Sequence, residues 1–229
     1  MTNKEIQNVA KQTIEYIKTK IYVGQSLKEI RNLCESKMFE LGADSFWYYN
    51  IGAFIFSGND TTVSISGKKY ETPDRKISLN DIITIDLSPQ FNHLWGDYAR
   101  TIIMENGQVI NCINDIQNNE WRKGLLFEEK LHNELINFST PDTTFEELYF
   151  HINNFITDNG YINLDFNKNL GHSIAKHKIQ RIYIEKGNKK KLKSVKYFTF
   201  EPHISIVNSS FGYKKENIYQ FVDKKLISL

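Results

Sequence analysis

The sequence predicts an α+β fold built from two similar halves, on three observations. Helix-period runs come in pairs, and each pair is followed by β-prone runs. That order of helix, helix, strands occurs twice along the 229 residues. No Pro-, Gly- or Ser-rich linker and no low-complexity segment divides the chain, so residues 1–229 read as a single domain.

The elements follow in order. Ile6, Ala10, Ile14 and Ile17 recur at helical spacing until Gly24, in "YVG", can stop the segment. "SLKE" at 26–29 is a capping box: the Ser26 hydroxyl accepts from a free amide and Glu29 reaches back. Leu27, Ile30, Cys34, Met38 and Leu41 then line one face of a second helix, with Gly42 placed to end it. "SFWYYNIGAFIFSG" (45–58) is aromatic and β-prone, with "GND" as a turn. A loop through "SGKKYETPDRK" leads to "DIITIDLSPQFNHLWGDYARTIIM" (81–104), two apolar-rich runs around a loop, which is the pattern of a β-hairpin.

The second set opens with a helix over 115–137, with Trp121, Leu125, Leu131 and Leu135 on its apolar side. "STPDTTFEEL" is loop then cap, with Thr143 or Thr144 as N-cap and a glutamate three residues on; that helix runs to Asn159 and Gly160. From Tyr161 onward the chain reads as strands: "NLGHSI", "RIYIEKG", "KYFTFEPHISIV" and "ENIYQFV". The basic "EKGNKKKLKS" run (185–194) reads as a solvated hairpin loop, with a phosphate or anion site as the alternative.

Composition bounds the function. Hydrophobic residues are 40% and charged residues 24% of the chain, as in soluble globular proteins. A net charge of +2 carries no nucleic-acid footprint. The amino terminus has no apolar targeting segment, and no run is long and apolar enough to span a membrane, so no membrane partner is expected. Cys34 and Cys112 allow at most one bridge, and the default expectation is free thiols in a reducing cytoplasm.

The hairpin at 81–104 poses a charge problem. Thr84, Asp86 and Ser88 share one face of its first run, and Asp97, Ala99 and Thr101 share a face of the second. Symmetric closure between Phe91 and Asn92 would set Asp86 directly opposite Asp97. Opposed like charges destabilise a strand pair, the more so when buried. A shared proton, an arginine such as Arg100, or a metal would compensate, although Arg100 has the wrong parity for that face. Two solvent-facing aspartates on an edge hairpin are the plain alternative.

The second half adds three more groups. "NLGHSI" carries His172. In "KYFTFEPHISIV", Phe198, Phe200, Ile204 and Ile206 alternate with Thr199, Glu201, His203 and Ser205. "GYKKENIYQFV" opens a further strand with Glu216. One imidazole among four carboxylates suits Mn²⁺, Co²⁺, Fe²⁺ or Zn²⁺ rather than a structural thiolate site. Five such ligands are too many for one ion and about right for two.

At these residues the chain resembles, over essentially its whole length, the methionine aminopeptidase, prolidase and creatinase superfamily of "pita-bread" metallohydrolases. The matching pieces, in order, are "IDLSPQFNHLWGDYART", "NLGHSI", "FTFEPHI" and "KKENIY". "GHSI" is similar to the type 2 methionine aminopeptidase branch and "ENIY" to the Xaa-Pro peptidases. The resemblance implies two pseudo-symmetric helix-helix-strand halves around a curved antiparallel sheet. It implies that Asp86 chelates a first divalent ion, that His172 and Glu201 bind a second, and that Asp97 and Glu216 bridge them. Glu201 would also shuttle protons. The expected activity is hydrolysis of an amide bond in a small peptide, as an aminopeptidase or Xaa-Pro peptidase, with two Mn, Co, Fe or Zn ions. A non-peptide amide or C–N hydrolase of the creatinase type and a non-catalytic binding module are the alternatives. With no amino-terminal domain before the unit, the pocket is expected to be open or completed by a second copy in a homodimer.

The match has two gaps. Family peptidases carry a substrate-handling histidine ahead of the first aspartate, where this chain has "GNDTTVSISGKK" with Ser64 or Ser66 nearest. The second follows the ligand histidine by seven or eight residues, where this chain has Ile179 and Gln180. His203, two residues past Glu201 on the same strand face, and His177, five past His172, are the candidate catalytic replacements. His93, His132 and His151 read as solvated or structural.

Overall fold

The computed structural model describes residues 1–229. The first half contains α1 (Asn3–Lys18), α2 (Leu27–Glu40), β1 (Ser45–Phe46), β2 (Ala53–Ser57), β3 (Asp81–Leu87), β4 (Pro89–Phe91), β5 (Leu94–Trp95), β6 (Tyr98–Glu105) and β7 (Gln108–Ile110). The second contains α3 (Asn119–Phe138), α4 (Phe145–Asp158), β8 (Tyr161–Asn163), β9 (Phe198–Phe200), β10 (His203–Ile206), β11 (Gly212–Lys214), β12 (Asn217–Val222) and β13 (Lys225–Ser228). Every strand pair is antiparallel. The largest sheet runs β2-β3-β6-β7, and three smaller ones run β1-β4-β5, β11-β10-β8 and β13-β12-β9. No helix is long and apolar enough to cross a membrane.

Helix starts obey local chemistry. The capping box at Ser26 and Glu29 forms, as does the one at Thr144 and Glu147, and "TNKE" adds a third at Thr2 and Glu5. Ile6, Ala10, Ile14 and Ile17 of α1, with Leu27, Ile30, Cys34 and Met38 of α2, are fully buried. They form one core with Ile83, Ile85 and Leu87 of β3. Leu131, Leu135, Phe145, Leu148 and Ile152 form a second core with Phe198, Phe200 and Ile204. The two halves meet where the β11 segment runs past β6: Lys214 N donates to Thr101 Oγ1 at 2.8 Å and Glu216 N to Ala99 O at 3.0 Å.

Four strand expectations change. The hairpin turns on Asn92 and His93, both with positive φ (46° and 65°), the backbone of a type I′ turn. Asp86 therefore faces Ala99, and Asp97 lies diagonally from it on the same face. The "KYFTFEPHISIV" run is two strands in two sheets, β9 and β10, because Pro202 has no amide to give a ladder. "GYKKENIYQFV" likewise splits into β11 and β12 as the chain crosses to Ala99. "NLGHSI" and "RIYIEKG" join only through the single bridge His172–Tyr183 and its flanking bonds. The basic run that follows is no hairpin: it laces onto the start of α4, with Phe145 N donating to Lys190 O and Glu146 N to Asn188 O. The helix expected from residue 115 begins at Asn119, capped by the Asn118 side chain, after a 3₁₀ turn.

Candidate metal centre

Three of the four carboxylates stand in gaps between strands. Asp97 follows β5, Glu201 follows β9 and Glu216 precedes β12; only Asp86 lies within a strand. A gap leaves backbone groups without a ladder, so something else must hold them. For Asp97 it is Gln7 of α1, buried in the helix interface. Its amide donates to Asp97 O and accepts from Asp97 N, both at 2.8 Å. Glu201 N donates to Leu170 O, and Glu216 N to Ala99 O.

His172 is fixed as firmly. Its backbone exchanges bonds with Thr199 (3.0 Å to the hydroxyl, 2.7 Å to the amide). Gly171 before it has φ +138°, and a Cβ there would come within 2.3 Å of Thr199 O. Nδ1 lies 3.1 Å from Ser173 O, a group that only accepts, so Nδ1 carries the proton and Nε2 keeps its lone pair. Burial, then the charge of Arg181, pushes the imidazole down to about 3, so it is neutral at pH 7.

These groups converge. Oxygens of Asp86, Asp97 and Glu216 lie within 4.8 Å of one another. His172 Nε2 is 3.5 Å from Asp97 Oδ2 and 3.8 Å from Glu201 Oε1. Burial first, then the neighbouring carboxylates, raises the acids of Asp97 and Glu216 well above their usual range. Asp97 Oδ2 and both Glu216 oxygens are buried without a hydrogen-bond partner. A lone pair aimed at two carboxylates, beside three unpartnered acid oxygens, is an arrangement that a bound cation would satisfy. The donor set therefore fits divalent metal.

One cation is already present. Lys214 Nζ reaches Asp86 Oδ2 at 2.5 Å and Glu201 Oε2 at 3.3 Å. Burial pulls its pKa down, but the charges of Asp86, Glu201 and Glu216 outweigh that and hold it well above the usual lysine value. Strand alternation supplied a signal for it, since Lys214 is two residues before Glu216. Arg100, by contrast, faces Ile85 across the sheet and bonds Ala99 O, Glu216 O and Asn217 Oδ1, as its parity requires.

The centre lies in a cavity of about 400 Å³, a small-ligand size. Trp47, Tyr48, Phe54, Phe56 and Tyr183 supply its aromatic wall, and Ser64 and Ser66 also line it. Trp47 stacks on Trp95 at 4.6 Å and meets the His172 ring edge-on at 5.4 Å. Arg181 lines the cavity too, 5.2 Å from the Trp47 ring and 5.1 Å from that of Tyr183, with no carboxylate in ion-pair range.

The two replacement histidines part company. His203 lines the cavity, with Nε2 donating to Thr61 O at 2.7 Å, so its free nitrogen is an acceptor. Desolvation, then Lys214, lowers it to about 4, leaving it neutral at pH 7. His177 is exposed on a loop and does not line the cavity, its ring 6.0 Å from that of His93, so the fold does not bring it to the other site residues. Its five-residue offset from His172 carried no strand parity, because that segment is not a strand. Gln180 and Ile179 are exposed as well, Ile179 to 94%.

The folding pattern and the acid-rich cavity define an α+β protein with a candidate divalent-metal centre. Residues 2–222 match metallopeptidase family M24, and the chain belongs to that family. Its structure is similar to the X-Pro aminopeptidase of Thermotoga maritima (TM-score 0.81, 18% identity, covering 98% of this chain and 58% of that one). It is similar to the prolidase of Pyrococcus furiosus (0.79, 20%, 98% and 61%). It also resembles the methionine aminopeptidase of Thermotoga maritima (0.74, 13%, 99% and 94%). These likenesses establish the pita-bread fold. The chain spans about three fifths of the X-Pro aminopeptidase and prolidase chains. No curated protein sequence matches it.

Proposed function

We propose that residues 1–229 act as one unit, a hydrolase of peptide amide bonds that holds two divalent ions of the Mn²⁺, Co²⁺, Fe²⁺ or Zn²⁺ type. The carrying observation is the convergence of His172, Asp86, Asp97, Glu201 and Glu216 with three buried acid oxygens unpartnered. Asp86, Asp97, His172, Glu201 and Glu216 are the residues that would hold the ions, with Asp97 and Glu216 shared between the Asp86 side and the His172–Glu201 side. Divalent ions bound there acidify water and polarise an amide carbonyl. Glu201 is the proton acceptor: its side chain is 23% exposed to the cavity, with one oxygen toward His172 and one toward Lys214. His203 accepts a hydrogen bond from the substrate, and the Trp47, Tyr48 and Tyr183 rings with Arg181 form a wall against which a small peptide rests. Cys34 and Cys112 are unpaired, which supports a reducing, cytoplasmic setting.

Hydrolysis of a non-peptide C–N bond is the second reading. It is favoured by serines at one family histidine position and the exposed Ile179 and Gln180 at the other. Metal analysis of gently purified protein, with dipeptides, Xaa-Pro peptides and small amides offered under added Mn²⁺, Co²⁺ and Zn²⁺, decides between them. Turnover of peptides supports the first reading. Turnover of the amides alone moves the assignment to the second. Bound metal with no turnover leaves a binding module, and protein that takes up no metal overturns the proposal.

A further inference from the structure

The basic run at 185–194 belongs to no part of the metal centre, yet its lysines are not alike. Lys191 and Lys193 share Asp142 at 2.8 and 2.6 Å. Lys186, Lys189 and Lys190 have no acidic partner. Two of these three, Lys186 and Lys190, line a second, open cavity of about 410 Å³ together with Arg181, Tyr183, Glu185 and Asn188. Arg181, Tyr183 and Glu185 line the metal cavity as well, so the two spaces share a wall.

The groove is anchored. Asn188 Nδ2 donates to Tyr183 O at 2.7 Å, Gly187 N to Glu146 Oε1 at 2.7 Å, and Phe145 N to Lys190 O at 2.9 Å. Those bonds fix the backbone that carries Lys186 and Lys190; with Arg181 these two put three cations in the groove lining beside the acid Glu185, while the Glu146 carboxylate is engaged by Gly187 N. The Arg181 guanidinium and the His172 ring share two aromatic neighbours, Trp47 (5.2 and 5.4 Å) and Tyr183 (5.1 and 5.9 Å). A residue or two of extended chain, at about 3.3–3.6 Å each, spans such a step.

We infer that this groove receives the carboxyl-terminal side of an acidic peptide whose amino-terminal bond lies at the metal centre. The direction rests on the peptidase reading above: an enzyme that cuts at the amino end leaves the long part of its substrate on the carboxyl side. The first carboxylate beyond the cut bond meets Arg181, whose planar fork suits it. Later ones meet Lys186 and Lys190. Glu185 repels these carboxylates and offsets part of the attraction, so the preference rests on the excess of cations over acids in the groove lining. The substrates are thus peptides longer than a dipeptide, with Asp or Glu after the first two residues.

Binding tests this without turnover. Fluorescein-labelled hexapeptides Ala-Pro-Glu-Asp-Glu-Asp and Ala-Pro-Gln-Asn-Gln-Asn, each with a reduced first bond so that it cannot be cut, are titrated with the full chain in Mn²⁺ by fluorescence anisotropy. The acidic peptide should bind about tenfold or more tightly at low salt, an advantage that shrinks between about 50 and 300 mM NaCl. Lys186→Glu with Lys190→Glu should remove the advantage. Lys224→Glu with Lys225→Glu, exposed on the β12–β13 hairpin outside both cavities, should leave it. Equal affinities, an advantage that survives the first double reversal, or one lost equally to the second overturns the groove. Dipeptide turnover without any acidic preference rejects the groove alone. Acidic preference in a protein that cuts no peptide rejects the peptidase reading and leaves the groove as a binding surface.

Discussion

The two halves start alike and finish differently. Each opens with a helix pair whose second helix carries a complete capping box, and each closes its own core. The first half then builds a regular sheet in which β3 pairs with β6 over seven positions, and one hairpin brings in both aspartates. The second half has only three- to six-residue strands and contributes His172, Glu201 and Glu216 from three separate segments. The lesson is about where a ligand can be put. A residue inside a ladder points where the pleat dictates, whereas a residue in a gap points where its substitute backbone partner lets it. Asp97 shows that even the regular half opens a gap, closed by Gln7, to place its buried ligand.

The comparison can be broken at its strongest point first. Asp97→Ala should abolish divalent metal uptake in calorimetry, because the Asp97 carboxylate approaches both His172 and the Asp86–Glu216 pair. Asp86→Asn should weaken uptake only in part, since Lys214 already balances Asp86. Normal uptake by Asp97→Ala would sink the ligand assignment. Next, His203→Ala on an active substrate should lower kcat/KM by about ten- to a thousandfold with metal content unchanged. Loss of metal in that variant would move His203 into the ligand set, and full activity would dismiss it.

Third, Gly171→Ala puts a Cβ against Thr199 O in a backbone region that L-residues avoid. It should cost about 1–3 kcal/mol in denaturant unfolding and displace His172 enough to lower metal affinity. Retention of both values would show that the second half tolerates movement at this ligand.

A fourth test compares the buried glutamates of the two halves. Glu105 accepts two amides, from Gln117 at 2.8 Å and Asn118 at 2.7 Å, whereas both Glu128 oxygens are buried without a partner. Burial, the first cause, raises the Glu128 acid well above its ordinary 4.5. Its folded-state proton therefore contributes stability that is complete below pH 4.5 and is lost as pH rises through the folded value. Glu128→Gln cannot lose that proton, so its melting temperature relative to wild type should climb steadily above pH 4.5. A difference that stays flat to pH 8 would mean that Glu128 has found a partner.

The smallest effect should also be the most symmetrical. Ser26→Ala and Thr144→Ala each remove one capping box and should each cost about 0.5–2 kcal/mol. Clearly unequal costs would show that one helix pair holds its half together more than the other.

Local rules carried much of the reading. Helical spacing, capping boxes and strand parity act over a few residues, so α1, α2, α4 and the shared face of Asp86 and Asp97 were legible from neighbours alone. The exact register was not, because it depends on which two residues adopt the left-handed turn. Gln7 was invisible: a glutamine in an otherwise apolar helix face announces no partner, and its partner lies 90 residues away. Arg181 went unread and His177 was placed at the site, both for one reason. Their segment lacks a regular ladder, and without a period, sequence spacing says nothing about direction.

The Asn92–His93 turn bears on how this protein can change over time. Strand pairing here works like a parity check on loop length. Removing or adding one residue between Ser88 and Asp97, unless a bulge absorbs it, would re-enter β6 one step out of phase and bring Arg100 to the face of Asp86. The two carboxylates would then give way to an ordinary salt bridge, with every residue of the centre still in the chain. Changes of two residues would keep the phase. Natural variants of this loop should therefore differ in length by even numbers, and an odd-length variant should lose the centre and much of its stability together, because Ile102 and Met104 leave the core with the same flip.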